Sequence, residues 1–196
     1  MSVVLVDGGG TNLGSVRYAL QRLGVDARLV RDAASVRAAG HVILPGVGAA
    51  APGMSRLREA GLVDTLRSLT QPVLGVCLGM QLLFDASDEG DTACLGIIPA
   101  RVARMAGAPG ARVPHMGWNV LRRERDGALA AALEPDDHAY FVHGYAAPVG
   151  PWTIASTDHA GHFSAIVQHG NYHGMQFHPE RSAAVGARLL KRFLEL

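Results

Sequence analysis

A cysteine flanked by glycines follows a predicted buried strand and precedes a predicted helix. The strand covers residues 72–76, and Cys77 lies between Gly75 and Gly79. Such glycines permit the sharp, strained turn of a nucleophile elbow, and the free N–H groups at the start of a helix favour a thiolate. We therefore predict that Cys77 is a nucleophile. The alternative is a small core residue, which is a common role for a free cysteine.

A histidine and a carboxylate, His178 and Glu180, are separated by a proline and follow a second predicted strand, residues 172–177. The carboxyl ends of strands form the active edge of an open α/β sheet, so His178 can meet Cys77 there. An imidazole can accept the thiol proton and return it to a leaving amine, and Glu180 can orient the ring. The alternative is a solvated turn histidine.

A glycine-rich turn, Pro45-Gly46-Val47-Gly48, follows another predicted strand on the same edge. Its glycines let the peptide of Val47 rotate so that the N–H can face a tetrahedral intermediate, beside the N–H of Leu78. We predict an oxyanion hole from these two groups. An ordinary turn at the end of a strand is the alternative.

Short apolar runs alternate with amphipathic segments in the first half of the chain, which predicts strands, helices and right-handed crossovers. Residues 78–84 are predicted to form an apolar helix, and residues 182–196 an amphipathic one. Beyond about residue 95 the pattern changes to strand-like pieces. The predicted fold is α/β, an open and mostly parallel sheet with helices on both faces and an antiparallel extension in the second half. We expect one domain, residues 1–196.

The composition excludes several classes of function. A net charge of +1 gives no basic field for nucleic acid, and no segment approaches the ~20 apolar residues of a membrane span. The N-terminus lacks the features of a signal peptide, so a cytoplasmic protein with free thiols at Cys77 and Cys94 is predicted. Cys94 lies beside a polar loop and is predicted to be structural. The substrate is expected to be a small molecule.

No metal or cofactor site is predicted from the remaining motifs. The other histidines lack the spacing of zinc ligands. A glycine-rich stretch, residues 8–14, follows the first strand, but neither a dinucleotide-binding nor a P-loop pattern fits it. We interpret it as a tight turn between strand and helix.

Several motifs together resemble the class I glutamine amidotransferase family over the whole chain. They are the Gly75-Val76-Cys77-Leu78-Gly79-Met80-Gln81 and Phe177-His178-Pro179-Glu180 runs. Within that family, Pro114-His115-Met116-Gly117-Trp118-Asn119 and Tyr140-Phe141-Val142-His143 resemble the branch that supplies glutaminase subunits to imidazole glycerol phosphate synthase. The resemblance implies a flavodoxin-like fold and hydrolysis of L-glutamine through a cysteine thioester. It also implies a heterodimer in which ammonia passes to a (β/α)8-barrel cyclase subunit in histidine biosynthesis.

The resemblance also implies a role for each matching position. The catalytic triad is Cys77, His178 and Glu180; the oxyanion hole is Val47 and Leu78; the substrate-binding residues are Gly48, Gln81, His143, Gly144 and Tyr145; the partner interface includes Asn12, Trp118, Asn119 and Arg181. Three places depart from the family pattern: Gly144 stands where a serine or threonine is usual, Arg181 replaces the commoner lysine, and residues 8–11 replace the usual aromatic-containing turn. If a hydroxyl contributes at position 144, the affinity for glutamine is weakened; a backbone contact makes the change harmless.

Four alternatives remain open at this level. The chain could serve another class I amidotransferase, since the triad is common to all of them. It could be a cysteine peptidase or a chaperone-like hydrolase on the same fold, although Leu78 stands where such relatives often carry a histidine. A non-catalytic flavodoxin-like binding module would require the motifs to be coincidental. Trp118 could pack in the core instead of lying at an interface.

Overall fold

The computed structural model describes residues 2–7 and 12–196. The strands are β1 (Val3–Val6), β2 (Arg28–Val30), β3 (His41–Gly46), β4 (Val73–Cys77), β5 (Phe84–Ser87), β6 (Thr92–Ala93), β7 (Ile98–Arg104), β8 (His115–Val120), β9 (Arg122–Arg123), β10 (His138–His143), β11 (Tyr145–Ala146), β12 (Thr153–Asp158), β13 (His162–His169) and β14 (Tyr172–Met175). The helices are α1 (Leu13–Arg22), α2 (Ala33–Arg37), α3 (Ala50–Glu59), α4 (Val63–Arg67), α5 (Leu78–Gln81) and α6 (Ala183–Leu194). Short 3₁₀ turns lie at Ala130–Ala132 and Pro179–Arg181.

The largest sheet in the described part of the chain has eight strands, in the order β2-β1-β3-β4-β14-β13-β12-β9. The pairs from β2 to β14 are parallel, and the pairs from β14 onward are antiparallel. The predicted α/β fold with its antiparallel extension is thus confirmed. Because β4 and β14 are neighbours and parallel, Cys77 and the segment after Met175 leave the sheet at the same edge.

Two smaller sheets complete the architecture. One pairs β10 with β8, and the other has the order β11-β7-β5-β6. The chain passes directly from β10 to β11, so His143, Gly144 and Tyr145 connect the two small sheets. This connection brings the predicted substrate-binding strand to the edge where β4 ends.

The first strand shows why the large sheet is covered on both faces. Val3 and Leu5 belong to one apolar cluster, and Val4 and Val6 belong to the other. Side chains alternate between the two faces of a strand, so a strand apolar at every position must be buried on both sides. Within residues 2–7 and 12–196, no helix is both long and apolar enough to cross a lipid bilayer.

The helix predicted for residues 78–84 is much shorter than expected. α5 ends at Gln81, and Phe84 already begins β5. The three residues after α5 are all buried: Leu82, Leu83 and Phe84. They are apolar because the segment is enclosed by the protein, and a continuous apolar run shows no helical periodicity. The prediction was wrong because a short apolar run cannot distinguish a buried helix from a buried strand.

Two buried histidines contact the same phenylalanine of α6. His41 and His173 place their rings edge-on to Phe193, with ring centroids 5.4 and 6.0 Å away. Within the described residues, both ring nitrogens of His41 and Nδ1 of His173 lack a hydrogen-bond partner. Burial lowers the pKa of His173 to about 4 and lowers that of His41 as well. Both rings are therefore neutral at pH 7.

We expect the free energy of unfolding to fall as the pH drops from about 6.5 towards 4. An unfolded histidine has a pKa near 6.5, so the unfolded chain binds more protons than the folded chain in this range. The histidine contribution is fully present above pH 6.5 and is lost on acidification, by roughly 1.4 kcal/mol per pH unit for each such histidine. His173→Leu should flatten this slope while changing the stability at pH 7 by less than about 1 kcal/mol.

Urea unfolding between pH 4 and 8 tests this expectation, with His169→Leu as the control because His169 is exposed. A His173→Leu protein with the wild-type slope would contradict the assignment of His173 as an acid-sensitive group.

Candidate active site

Cys77 lies at a strained turn between β4 and α5. Its backbone has φ 54° and ψ −110°, in the positive-φ region that side chains other than glycine rarely adopt. The flanking glycines make the turn possible. A Cβ on Gly75 would lie 2.5 Å from the carbonyl oxygen of Gly79, and a Cβ on Gly79 would lie 1.7 Å from the carbonyl oxygen of Leu44. The chain thus folds back on itself at the elbow and presents the side chain of Cys77 at its tip.

Gly79→Ala is expected to destabilise the fold severely. The clash is with the backbone of β3, which cannot move without breaking the parallel sheet, so we expect a loss above about 4 kcal/mol. Gly144→Ala is the matched control: its Cβ would meet only Val113 and Pro114 side-chain atoms at 3.7 and 4.0 Å. Thermal unfolding of the two variants measures the difference. Equal unfolding temperatures for the two would contradict the close packing of the elbow.

The backbone around His178 is fixed by contacts with other elements. The His178 N–H donates to the carbonyl oxygen of Tyr140 at 2.9 Å. The hydroxyl of Ser182 donates to the His178 carbonyl oxygen at 2.7 Å and accepts from the Tyr140 N–H at 2.9 Å. Gly186 of α6 lies so close that its Cβ would be 1.9 Å from the carbonyl oxygen of Pro179. Together these contacts tie the segment to β10 and α6.

His178 and Glu180 form a buried pair. The ring Nδ1–H of His178 donates to Glu180 Oε1 at 2.8 Å, and the two side chains are only 7% and 1% exposed. The side-chain amide of Asn12 donates to the same carboxylate oxygen at 2.5 Å. With Nδ1 bonded to Glu180, Nε2 is the nitrogen of His178 left to exchange a proton with the Cys77 thiol, which lines the same cavity.

The electrostatics of the pair favour its charged form. Burial alone would lower the pKa of His178, but its interactions with the side chains of Cys77 and Glu180, including the hydrogen bond to Glu180, raise the pKa to about 10. Burial alone would raise the pKa of Glu180, but the hydrogen bonds and charge from His178 and the amide of Asn12 hold it below its usual range. The arrangement can therefore hold a proton on His178 at neutral pH, ready for transfer to a leaving group.

One cavity of about 190 Å³ collects most of the predicted site residues. It is lined by Val47, Gly48, Cys77, Leu78, Gln81, Glu89, Val142, His143, Gly144, Tyr145 and His178. The predicted nucleophile, base, oxyanion donors and substrate-binding residues therefore surround one space. Gly46 permits the close approach of the turn at residues 45–48 to the elbow, since its Cβ would lie 3.1 Å from both the Gly79 nitrogen and the Leu78 Cβ.

The wall of the cavity beside Cys77 is built from the end of β10 and the connection between β10 and β11. His143 bonds through Nδ1 to the carbonyl oxygen of Tyr145 at 2.8 Å, and that oxygen also accepts from the amide of Gln81 at 2.9 Å. Burial lowers the pKa of His143 to about 3, so its ring is neutral. The sulfur of Cys77 lies 3.9 Å from the carbonyl oxygen of Val142. The wall formed by this connection therefore places polar, uncharged groups beside the thiol.

A known protein family accounts for this combination of fold and site. The family model described as glutamine amidotransferase class-I matches residues 4–196. The imidazole glycerol phosphate synthase subunit HisH of Xanthomonas axonopodis pv. citri (strain 306) is 62% identical over 194 residues, covering 99% of this chain and 97% of that protein. The chain belongs to the class I glutamine amidotransferase family. The HisH subunit of Xylella fastidiosa (strain Temecula1 / ATCC 700964) is 56% identical over the same share of each chain.

Solved structures agree with this assignment. A crystal structure of a glutamine amidotransferase superposes with a TM-score of 0.76 at 25% identity, covering 99% of this chain and 98% of that one. A structure of PurLQS from Thermotoga maritima superposes with a TM-score of 0.73 at 18% identity, covering 100% of this chain and 99% of that one. The second likeness concerns the fold alone. The amidotransferase fold expected from the sequence is thus confirmed.

The residues predicted to face a partner lie outside the cavity of this amidotransferase. Trp118 on β8 is 53% exposed and Met116 is 65% exposed, so Trp118 does not pack in the core. The guanidinium of Arg181 lies over the ring of Tyr140, 4.6 Å from its centroid, and Trp118 meets the same ring edge-on at 5.9 Å. Asn119 donates its amide to the carbonyl oxygen of Asp158 at 2.9 Å. These side chains form a rim beside the His178 segment.

Asn12 makes a contact that its position in the sequence does not specify. Its amide reaches into the pair formed by His178 and Glu180, a contact that the sequence analysis did not anticipate. Its position after the first strand, on the active edge, was the available signal. The predicted turn at residues 8–11 lies outside the described residues. In the part of the chain that is described, no group of three or more His, Cys, Asp or Glu side chains is arranged so that it could hold a metal ion.

The contacts of Gln176 and Ser182 were also not anticipated. Gln176 donates from Nε2 to the Cys77 sulfur at 3.8 Å, and Ser182 secures the backbone of His178. Gln176 precedes the Phe177-His178-Pro179-Glu180 run by one position, which hints at proximity to the site. No spacing rule predicts which way its amide points.

Proposed function

We propose that this chain is the glutaminase subunit of an imidazole glycerol phosphate synthase. It hydrolyses L-glutamine to glutamate and ammonia, and the ammonia passes to a (β/α)8-barrel cyclase subunit in histidine biosynthesis. Residues 1–196 act as one glutaminase domain within the resulting heterodimer. The full-length relatives named HisH favour this branch of the family over other amidotransferases, over peptidases of the same fold and over a non-catalytic binding module.

One observation supports the proposed roles of Cys77 as the nucleophile and His178 as the group that exchanges protons with it. The strained Cys77 and the paired His178 line the same cavity, and the His178 pKa is raised by both Cys77 and Glu180. A thiolate beside an imidazolium is the arrangement that nucleophilic attack on a carboxamide requires.

The acylation step uses these groups in sequence. The Cys77 thiolate attacks the side-chain carbonyl carbon of glutamine, and the carbonyl electrons move to oxygen. The N–H groups of Val47 and Leu78 stabilise this oxyanion, each contributing about 10² to 10³ in rate. As the C–N bond breaks, His178 donates its Nε2 proton to the leaving nitrogen, which departs as ammonia.

The deacylation step regenerates the enzyme. Neutral His178 removes a proton from water as the water attacks the glutamyl thioester. Collapse of the second tetrahedral intermediate expels the Cys77 thiolate and releases glutamate. Glu180 holds the ring in place through Nδ1 during both steps, and Asn12 holds the carboxylate.

We propose that the partner surface consists of the rim beside the His178 segment, with Trp118, Asn119 and Arg181, together with Asn12. Trp118 and its neighbour Met116 expose apolar area beside the catalytic segment, and Arg181 stacked on Tyr140 adds a positive charge. Aromatic, methionine and arginine side chains are enriched at protein interfaces. A cytoplasmic setting fits the two free thiols, Cys77 and Cys94.

A glutaminase assay tests the proposed function. Glutamate release is measured for the chain by itself, with the barrel cyclase, and with the barrel cyclase plus its nucleotide substrate. Because ammonia must reach the cyclase without loss, we expect release to rise at least about tenfold in the complete complex. Equal rates in all three mixtures would contradict the coupling, and the absence of glutamate in every mixture would refute the function.

A further inference from the structure

A hydrogen-bonded chain of two glutamines ends on the reactive sulfur. Gln176 follows β14 and is completely buried, and Gln81 lies at the end of α5. Gln81 Nε2 lies 2.9 Å from Gln176 Oε1, and Gln176 Nε2 lies 3.8 Å from Cys77 Sγ. The amide of Gln176 therefore bridges Gln81 and the nucleophile.

The orientation of both amides follows from a fixed acceptor. The carbonyl oxygen of Tyr145 lies 2.9 Å from the Gln81 side chain, and a backbone carbonyl can only accept. The Gln81 atom facing it must be the NH₂ group, which uses one hydrogen on Tyr145 and directs the other to Gln176. The Gln176 atom that faces Gln81 must then be its oxygen. Its NH₂ group is left to point at the sulfur of Cys77.

The backbone of Gln176 also has little freedom. Its N–H donates to the carbonyl oxygen of Ala165 on β13 at 2.9 Å, and its neighbour Met175 is paired with Val76 of β4. The amide thus approaches the sulfur from the buried side of the elbow, while His178 lies on the cavity side. A donor held in this way costs no reorganisation when charge develops on the sulfur.

We infer that Gln176 is a further catalytic residue that stabilises the Cys77 thiolate by donating its side-chain N–H to the sulfur, and that Gln81 is a positioning residue that sets the direction of this donor. The inference rests on the proposed function only in taking Cys77 as the nucleophile. Hydrogen bonds to an ionised acceptor are stronger than those to a neutral one, so the donor favours the thiolate over the thiol. The same donor also stabilises the Cys77 thiolate when it leaves during hydrolysis of the thioester.

Alkylation of Cys77 by iodoacetamide isolates this effect from glutamine binding. The full chain is treated between pH 5 and 10, and the modified peptides are quantified by mass spectrometry. Cys94 provides an internal reference, because burial raises its pKa to about 11 and it is only 3% exposed. Gln176→Met keeps the length of the side chain and removes the donor. Gln81→Met removes the anchor and leaves the Gln176 amide in place but free to turn.

We expect Gln176→Met to slow alkylation of Cys77 at pH 7 about tenfold and to displace the pH–rate profile to higher pH. Gln81→Met should slow it no more than about threefold, because a freed amide still faces the sulfur for part of the time. If Gln176→Met fails to fold, Gln176→Asn retains the polarity, withdraws the amide by one methylene, and should give a displacement in the same direction. Circular dichroism spectra establish that the compared variants are folded.

The inference would be overturned if Cys77 of the Gln176→Met and Gln176→Asn proteins were alkylated with the same pH–rate profile as in the wild type. Slower alkylation in Gln81→Met than in Gln176→Met would also overturn it, since a residue that acts only through the Gln176 donor cannot contribute more than that donor does. The assay contains no glutamine and no partner. A chain that lacks glutaminase activity but shows the expected order of alkylation rates therefore refutes the proposed function and supports the role of Gln176.

Discussion

Cys77→Ala is expected to lower kcat/KM for glutamine hydrolysis by roughly 10⁴-fold or more. The variant removes the atom that forms the thioester, and among the described residues no other thiol lines the cavity. Alanine fits the elbow because the positive φ and the flanking glycines set the backbone there, so the fold should persist. The measurement is glutamate release by the complex of this chain with the barrel cyclase, in the presence of the nucleotide.

Cys94→Ala is the matched control for this loss. Cys94 is also buried and free, but its thiol donates to the carbonyl oxygen of Thr92, away from the cavity. Its removal should leave glutamate release within about twofold and cost about 1 kcal/mol of stability. Activity retained by Cys77→Ala, or lost equally in both variants, would contradict the assignment of the nucleophile.

His178→Gln is the second substitution with a large expected effect. It removes the group that exchanges a proton with both the thiol and the leaving ammonia, so kcat/KM should fall by about 10² to 10⁴. Glutamine is close to histidine in length and can still donate to Glu180, which keeps the carboxylate partnered. The loss should therefore reflect chemistry more than folding.

The companion experiment for His178→Gln uses another buried histidine. His173→Gln changes a ring that packs against Phe193 and lies outside the cavity, so glutamate release should stay within about threefold of the wild-type rate. In addition, Cys77 of the His178→Gln protein should be alkylated more slowly at pH 7 than in the wild type. If its alkylation rate were unchanged, His178 would not be the base that activates the thiol.

The elbow and the parallel character of the first half of the sheet were predictable because each depends on a local sequence pattern. A Cβ on Gly75 or Gly79 would lie only 2.5 or 1.7 Å from a backbone carbonyl oxygen. Glycine at both positions therefore permits the close approach of the backbones at the elbow. The placement of His178 beside Cys77 followed from one rule, that parallel strands end at the same edge. Neither inference needed the details of side-chain packing.

Other features depend on contacts between residues far apart in the sequence. The direction of the Gln176 amide is set by Gln81, 95 positions earlier, and by the carbonyl oxygen of Tyr145. The exposure of Trp118 depends on which face of β8 the core covers. The early end of α5 at Gln81 arises because Phe84 is enclosed in a second sheet. Local patterns carry none of this information.

Trapping the acyl-enzyme tests the central claim most directly. The complex is mixed with glutamine, quenched in acid during turnover, digested and measured by mass spectrometry. We expect the peptide that contains Cys77 to gain the mass of one glutamyl group and to lose it on treatment with hydroxylamine, while the Cys94 peptide is unchanged. Rapid glutamate release with no modified Cys77 peptide at any quench time, or with the glutamyl group on another residue, would contradict the account.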